Sequence, residues 1–156
     1  MYDRGIVPNL EALREIYPGW VMYLYSDYPL EKGNKYCNLV CSSDDFFWCE
    51  SNKIPELGNI SSCFGMVWRF LPIGDPLVDT LLSRDLDSRP GKREQRAVTE
   101  WLKSNKTFHF MRDHPHHKEY ILGGMWGVKI NQLEPNEGRS LQKQFLKVNM
   151  KIIETG

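Results

Sequence analysis

Two acids stand one residue apart in S-R-D-L-D-S-R, residues 83–89: Asp85 and Asp87, flanked by Arg84 and Arg89. Carboxylates at this spacing suit a hard divalent ion. Mg²⁺ and Mn²⁺ take one or two protein carboxylates and complete their shell with water and substrate phosphate oxygens, so D-x-D is the minimal protein half of such a centre. The neighbouring guanidiniums match either partner: Arg84 and Arg89 can stabilise the acids or hold a phosphate. A capped, solvated turn would use the same residues, and is the competing reading. The apolar run V-D-T-L-L before the motif favours the first, because it delivers the acids at the end of a buried segment. Ser88-Arg89-Pro90 supplies the turn that lets both acids reach one ligand.

A second set of reactive side chains lies in M-R-D-H-P-H-H, residues 111–117. Asp113 beside His114 can orient an imidazole for proton transfer or ligation, whereas His116 and His117 read as loop surface and His109 as a core histidine. The spacing does not match H-E-x-x-H, and a zinc hydrolase needs three convergent ligands. In G-G-M-W-G, the glycines Gly123 and Gly124 either permit tight packing beneath Trp126 or leave room for a sugar ring against its face.

The elements that must position these groups alternate between helical and extended patterns. Residues 9–17 space Leu10, Leu13, Ile16 and Tyr17 as an amphipathic helix behind an Asn9 cap, stopped by Pro18-Gly19. W-V-M-Y-L-Y-S reads as a buried strand ending near Asp27, and N-L-V-C-S-S as a short strand. F-F-W-C-E-S-N-K-I-P-E-L-G-N has no clear period, and F-G-M-V-W-R-F-L-P-I fits helix or strand. P-L-V-D-T-L-L-S-R-D reads as a strand with Asp85 and Asp87 at its carboxyl end. Pro90 then opens a helix with Ala97, Val98, Trp101 and Leu102 on one stripe and Lys92, Arg93 and Arg96 in water. T-F-H-F-M-R-D is a further strand ending in an acid, and Leu141, Phe145 and Val148 mark a last amphipathic helix. An α/β domain is expected, with ligands outside the carboxyl ends of its strands.

The 156 residues suffice for one domain with its own core, and five Trp argue for order. Twenty basic residues balance twenty acidic ones, so no electrostatic footprint for nucleic acid exists. No apolar run reaches the roughly 18 residues of a membrane span, and no signal-peptide pattern opens the chain. The expected location is therefore cytoplasmic by default, or the Golgi lumen if an anchor precedes the chain. Cys37, Cys41, Cys49 and Cys63 match no zinc spacing and read as free thiols rather than disulfides.

The blocks Y-P-G-W-V-M-Y-L-Y-S-D, M-V-W-R-F-L-P-I-G-D-P-L-V-D, S-R-D-L-D-S-R-P-G-K-R-E, A-V-T-E-W-L-K-S and H-F-M-R-D-H-P-H-H…I-L-G-G-M-W-G together resemble glycosyltransferase-like proteins of the nucleotide-diphospho-sugar transferase (A-type) fold. The resemblance covers about residues 9–130, with no block between Asp27 and Phe64. It implies a single Rossmann-like sandwich with a mostly parallel central sheet, incomplete at both ends. It also implies Mn²⁺ or Mg²⁺ on Asp85 and Asp87, gripping the diphosphate of a nucleotide-sugar donor, with an unknown acceptor. Asp113 and His114 fall on the family's M-R-D-H-P block and Gly123 and Gly124 on its I-L-G-G block. These are expected in the catalytic and substrate pocket with Arg84, Ser88, Arg89 and Trp126. The alternatives are a non-catalytic nucleotide-sugar or metal-binding module and, further off, a metallophosphoesterase built on Asp85, Asp87, His114 and His116.

Overall fold

A computed structural model describes residues 2–31, 33, 35–112 and 123–154. Asp113, His114, His116 and His117 lie outside the described residues. The chain folds as a small α/β protein with two sheets.

Helix α1 (Ile6–Ile16) starts one turn earlier than its sequence suggests. Pro8 is tolerated because the first-turn N–H it lacks has no intrahelical partner in any case. Asn9 is therefore inside the helix and not its cap. Its amide is used elsewhere, as described below.

Strand β1 (Met22–Ser26) pairs in parallel with β2 (Phe46–Glu50), in the register Met22↔Phe46 to Ser26↔Glu50. Between them α2 (Cys37–Cys41) replaces the strand expected for N-L-V-C-S-S. Five residues are too few to reveal a period. A single helical turn lets Leu39 and Val40 pack against Ile6, Leu10, Tyr36 and Phe46.

A run of 3-10 helix over Gly65–Gly74 buries Val67, Trp68, Leu71, Pro72 and Ile73. The last helix, α4 (Glu137–Glu154), lies against this run. Contact is close: a Cβ on Gly138 would fall onto the carbonyl of Ile73, and Gln142 Nε2 donates to Leu71 O at 2.7 Å.

Strand β3 (Thr80–Arg84), helix α3 (Lys92–Lys103), strand β4 (Phe108–Phe110) and strand β5 (Met125–Lys129) form the second unit. Strand β5 pairs antiparallel with both β3 and β4, so the order is β3-β5-β4 and the two outer strands run parallel to each other. Helix α3 begins at Lys92 with Gly91 as its cap, and buries Val98 and Trp101 as its stripe predicts, whereas Leu102 is exposed.

One mostly parallel sheet was the expectation. Among the described residues β1 and β3 are not hydrogen-bonded neighbours, so the five strands form a parallel pair and a separate antiparallel three. The inner edges of β1 and β3 instead border a common cavity of about 450 Å³. Among the described residues no helix is long and apolar enough to cross a membrane.

Candidate functional site at the end of strand β3

Asp85 is the first residue beyond β3 and lines the cavity between β1 and β3. Its Oδ1 accepts from Arg69 Nη1 at 2.5 Å, and its side chain remains 45% exposed. Gly123 and Gly124 lead into β5, directly opposite. A Cβ on Gly124 would fall inside the Asp85 carboxylate, and one on Gly123 would come within 3.2 Å of Arg69 Nη1. Side-chain-free positions are therefore what let the ion pair sit against the start of β5. Buried Ser83 reinforces the junction by donating from Oγ to Gly123 O at 2.5 Å. Two motifs about forty residues apart thus meet at one point.

The turn that follows is fixed from below. Ser88 N donates to Asp85 O at 3.1 Å, closing residues 85–88. Asn9 Nδ2 donates to Leu86 O at 2.7 Å and to Gly5 O at 2.9 Å, and a Cβ on Gly5 would overlap the Leu86 carbonyl. The first turn of α1 is therefore the seat of the D-x-D loop.

Asp87 goes elsewhere. It is exposed, like Ser88 and Arg89, and with Arg4, Pro8 and Arg89 it borders a separate hollow of about 570 Å³. The two acids consequently line different hollows.

Arg84 does not assist either acid. Its Nη1 pairs with Glu94 Oε2 at 2.8 Å, and Glu94 Oε1 accepts from the Tyr17 hydroxyl at 3.2 Å. This trio, with Tyr17 and Glu94 buried and Arg84 half-buried, ties the end of α1 to β3 and α3 at the cavity wall. Burial, and then the Glu94 charge, push the Tyr17 hydroxyl well above the ordinary phenol range. Trp126 is a core residue, 5% exposed, in one cluster with Ile73, Leu81 and Val128 and stacked on Phe70 at 5.4 Å. The indole is thus covered by core side chains, and Gly123 and Gly124 pack against Arg69 and Asp85 rather than beneath Trp126.

The structure thus brings Asp85, Gly123 and Gly124 together, and adds Arg69, Asn9 and Glu94, which no local motif marks as their neighbours. A signal existed for Arg69. A single guanidinium inside the apolar run M-V-W-R-F-L must snorkel or find a carboxylate.

For a divalent ion the fit is partial. The half-exposed Asp85 carboxylate suits one position of a Mg²⁺ or Mn²⁺ shell, but Asp87 as placed does not join it. Among the described residues no three His, Cys, Asp or Glu side chains converge. No protein-family model, no curated protein and no solved structure matches the chain.

Proposed function

We propose that the chain binds a nucleotide-diphospho-sugar at the end of β3 and acts as a glycosyltransferase toward an acceptor of unknown type. The observation that carries this reading is the meeting of Asp85 with Gly123 and Gly124 on the rim of the cavity between β1 and β3, at the carboxyl end of β3, the end of a strand at which open α/β proteins take their ligands. The aromatic and apolar wall formed by Tyr17, Trp20 and Leu24 suits a flat heterocycle. Asp85 would hold the Mn²⁺ or Mg²⁺ ion, which when bound supplies Lewis-acid neutralisation of the departing diphosphate. Arg69 holds the Asp85 carboxylate in place, and Asn9 anchors the loop that presents it.

A second reading, a binding module without transferase activity, draws on a specific observation: Asp85 already has a counter-ion in Arg69, and Asp87 lines another hollow. One pair of measurements separates the two. Thermal shift with uridine and guanosine diphosphates, with and without Mn²⁺, should show metal-dependent stabilisation under either reading. Slow release of nucleoside diphosphate from a sugar donor is expected only of the transferase. Absence of any nucleotide-dependent shift would remove both.

A further inference from the structure

A second pocket, of about 530 Å³, opens on the face of the parallel pair that points away from α1. The register Tyr23↔Phe47 and Tyr25↔Cys49 puts these four side chains on one face. Met22, Leu24, Phe46 and Trp48 occupy the other and pack on Ile6 and Leu10. Tyr23 and Phe47 meet edge to face, with centroids 5.2 Å apart. The opposite wall is the segment after the 3-10 run, Asp75, Pro76 and Leu77. Leu77 is 86% exposed and Phe47 44%, so a large apolar surface faces water here.

Apart from the Tyr23 and Tyr25 hydroxyls, which have no hydrogen-bond partner among the described residues, the pocket's polar side chains are largely engaged. Glu50 pairs with Lys53 at 2.9 Å and accepts from Leu30 N, while Glu56 faces Arg139 at 3.6 Å. Gln142 donates to Leu71 O. Asp75 is different: Oδ1 accepts from Leu77 N at 2.9 Å, and among the described residues no cation pairs with it. Its charge reaches the aromatic wall. Tyr23, Tyr25 and Cys49 are all pushed up, by burial first and with Asp75 among the further causes.

The chemistry of the occupant follows by exclusion. An anion would meet an uncompensated carboxylate. A bare metal ion needs several oxygen ligands and would find one. A neutral sugar could bond to Asp75 and the two phenol hydroxyls but would leave the Asp75 charge uncompensated. One negative charge beside three aromatic rings is what an organic cation requires, because the ring quadrupoles and the carboxylate attract it together while its alkyl groups cover apolar surface.

We infer that the pocket formed by Tyr23, Tyr25, Phe47 and Asp75 binds an organic ammonium group. Two sources present this chemistry, a free small molecule of the choline type and a methylated lysine side chain.

The test is titration of the intact chain with choline, with a trimethyllysine peptide, and with 3,3-dimethylbutan-1-ol, the uncharged isostere of choline, followed by tyrosine and tryptophan fluorescence. At least one ammonium probe should saturate, and it should bind about tenfold or more tightly than the isostere. The tighter of the two identifies the source. Asp75→Asn keeps the acceptor for Leu77 N and should lose about tenfold in ammonium affinity, and Tyr23→Leu should weaken it in the same direction. Equal binding of the isostere, equal competition by a neutral methyl glycoside, or no saturation by either ammonium probe overturns the proposal.

Discussion

Arg69 and Asp85, sixteen residues apart in sequence, form a 2.5 Å ion pair on the rim of the cavity between β1 and β3, with a glycine pressed against each partner. This pair makes Arg69 a competitor for any cation that Asp85 would bind. Arg69→Met should therefore raise Mn²⁺ affinity several-fold while lowering stability by about 1–2 kcal/mol, since a charge-assisted hydrogen bond in a half-exposed setting is lost. Metal titration and urea denaturation read the two effects separately. Unchanged Mn²⁺ affinity would show that Asp85 is not a ligand.

Asn9 tests whether the loop is seated from below. It is 7% exposed and donates to two carbonyls, Gly5 and Leu86. Asn9→Ala should cost about 1–3 kcal/mol, because two carbonyls lose their shared donor. Asn9→Asp should cost more at pH 7 than at pH 4, as an ionised carboxylate would face two carbonyl oxygens and is relieved by protonation. Denaturation midpoints at the two pH values check the sign.

His109 makes stability depend on acid. It stacks on Trp101 at 5.3 Å, its Nε2 is buried without a partner among the described residues, and burial holds its pKa below the ordinary 6.5. The unfolded chain thus takes up a proton before the folded one does. Stability from this group is complete above pH 6.5 and is lost as pH falls toward the folded value. Between pH 7.5 and 5, the midpoint in urea should fall more for the native chain than for His109→Phe, which keeps the ring stack.

The cysteines should separate by reactivity. Burial, helped by Asp75, pushes the Cys49 thiol up to about 11, while Cys41 is exposed on α2. Because the thiolate is the nucleophile, iodoacetamide at pH 8 should label Cys41 first and leave Cys49 largely unmodified. Peptide mass spectrometry gives the order. Early labelling of Cys49 would contradict the packing of the Tyr23–Tyr25 face.

What could be read in advance was what periodicity and local chemistry encode. The stripe of α3 is legible because Val98 and Trp101 recur at helical spacing, and β3 because an apolar run ends in a charged turn. Asp85 at a strand end follows from that run alone. The short α2 was not legible, since five residues carry no period, and the start of α1 was misplaced because Asn9 has the chemistry of a cap and is used as a tertiary donor instead.

An α/β chain with Asp85 at the end of a strand is legible in the sequence, because both depend on neighbours a few residues away, whereas strand β5 beyond Gly123 and Gly124 carries no such signal. The pairing of Asp85 with Arg69 and of Arg84 with Glu94, the different hollows of Asp87 and Asp85, and the absence of a ladder between β1 and β3 among the described residues all come from the tertiary fold. The reason is physical. A charge chooses its partner by distance in space, and a strand edge by which backbone reaches it, and neither distance is written in local sequence.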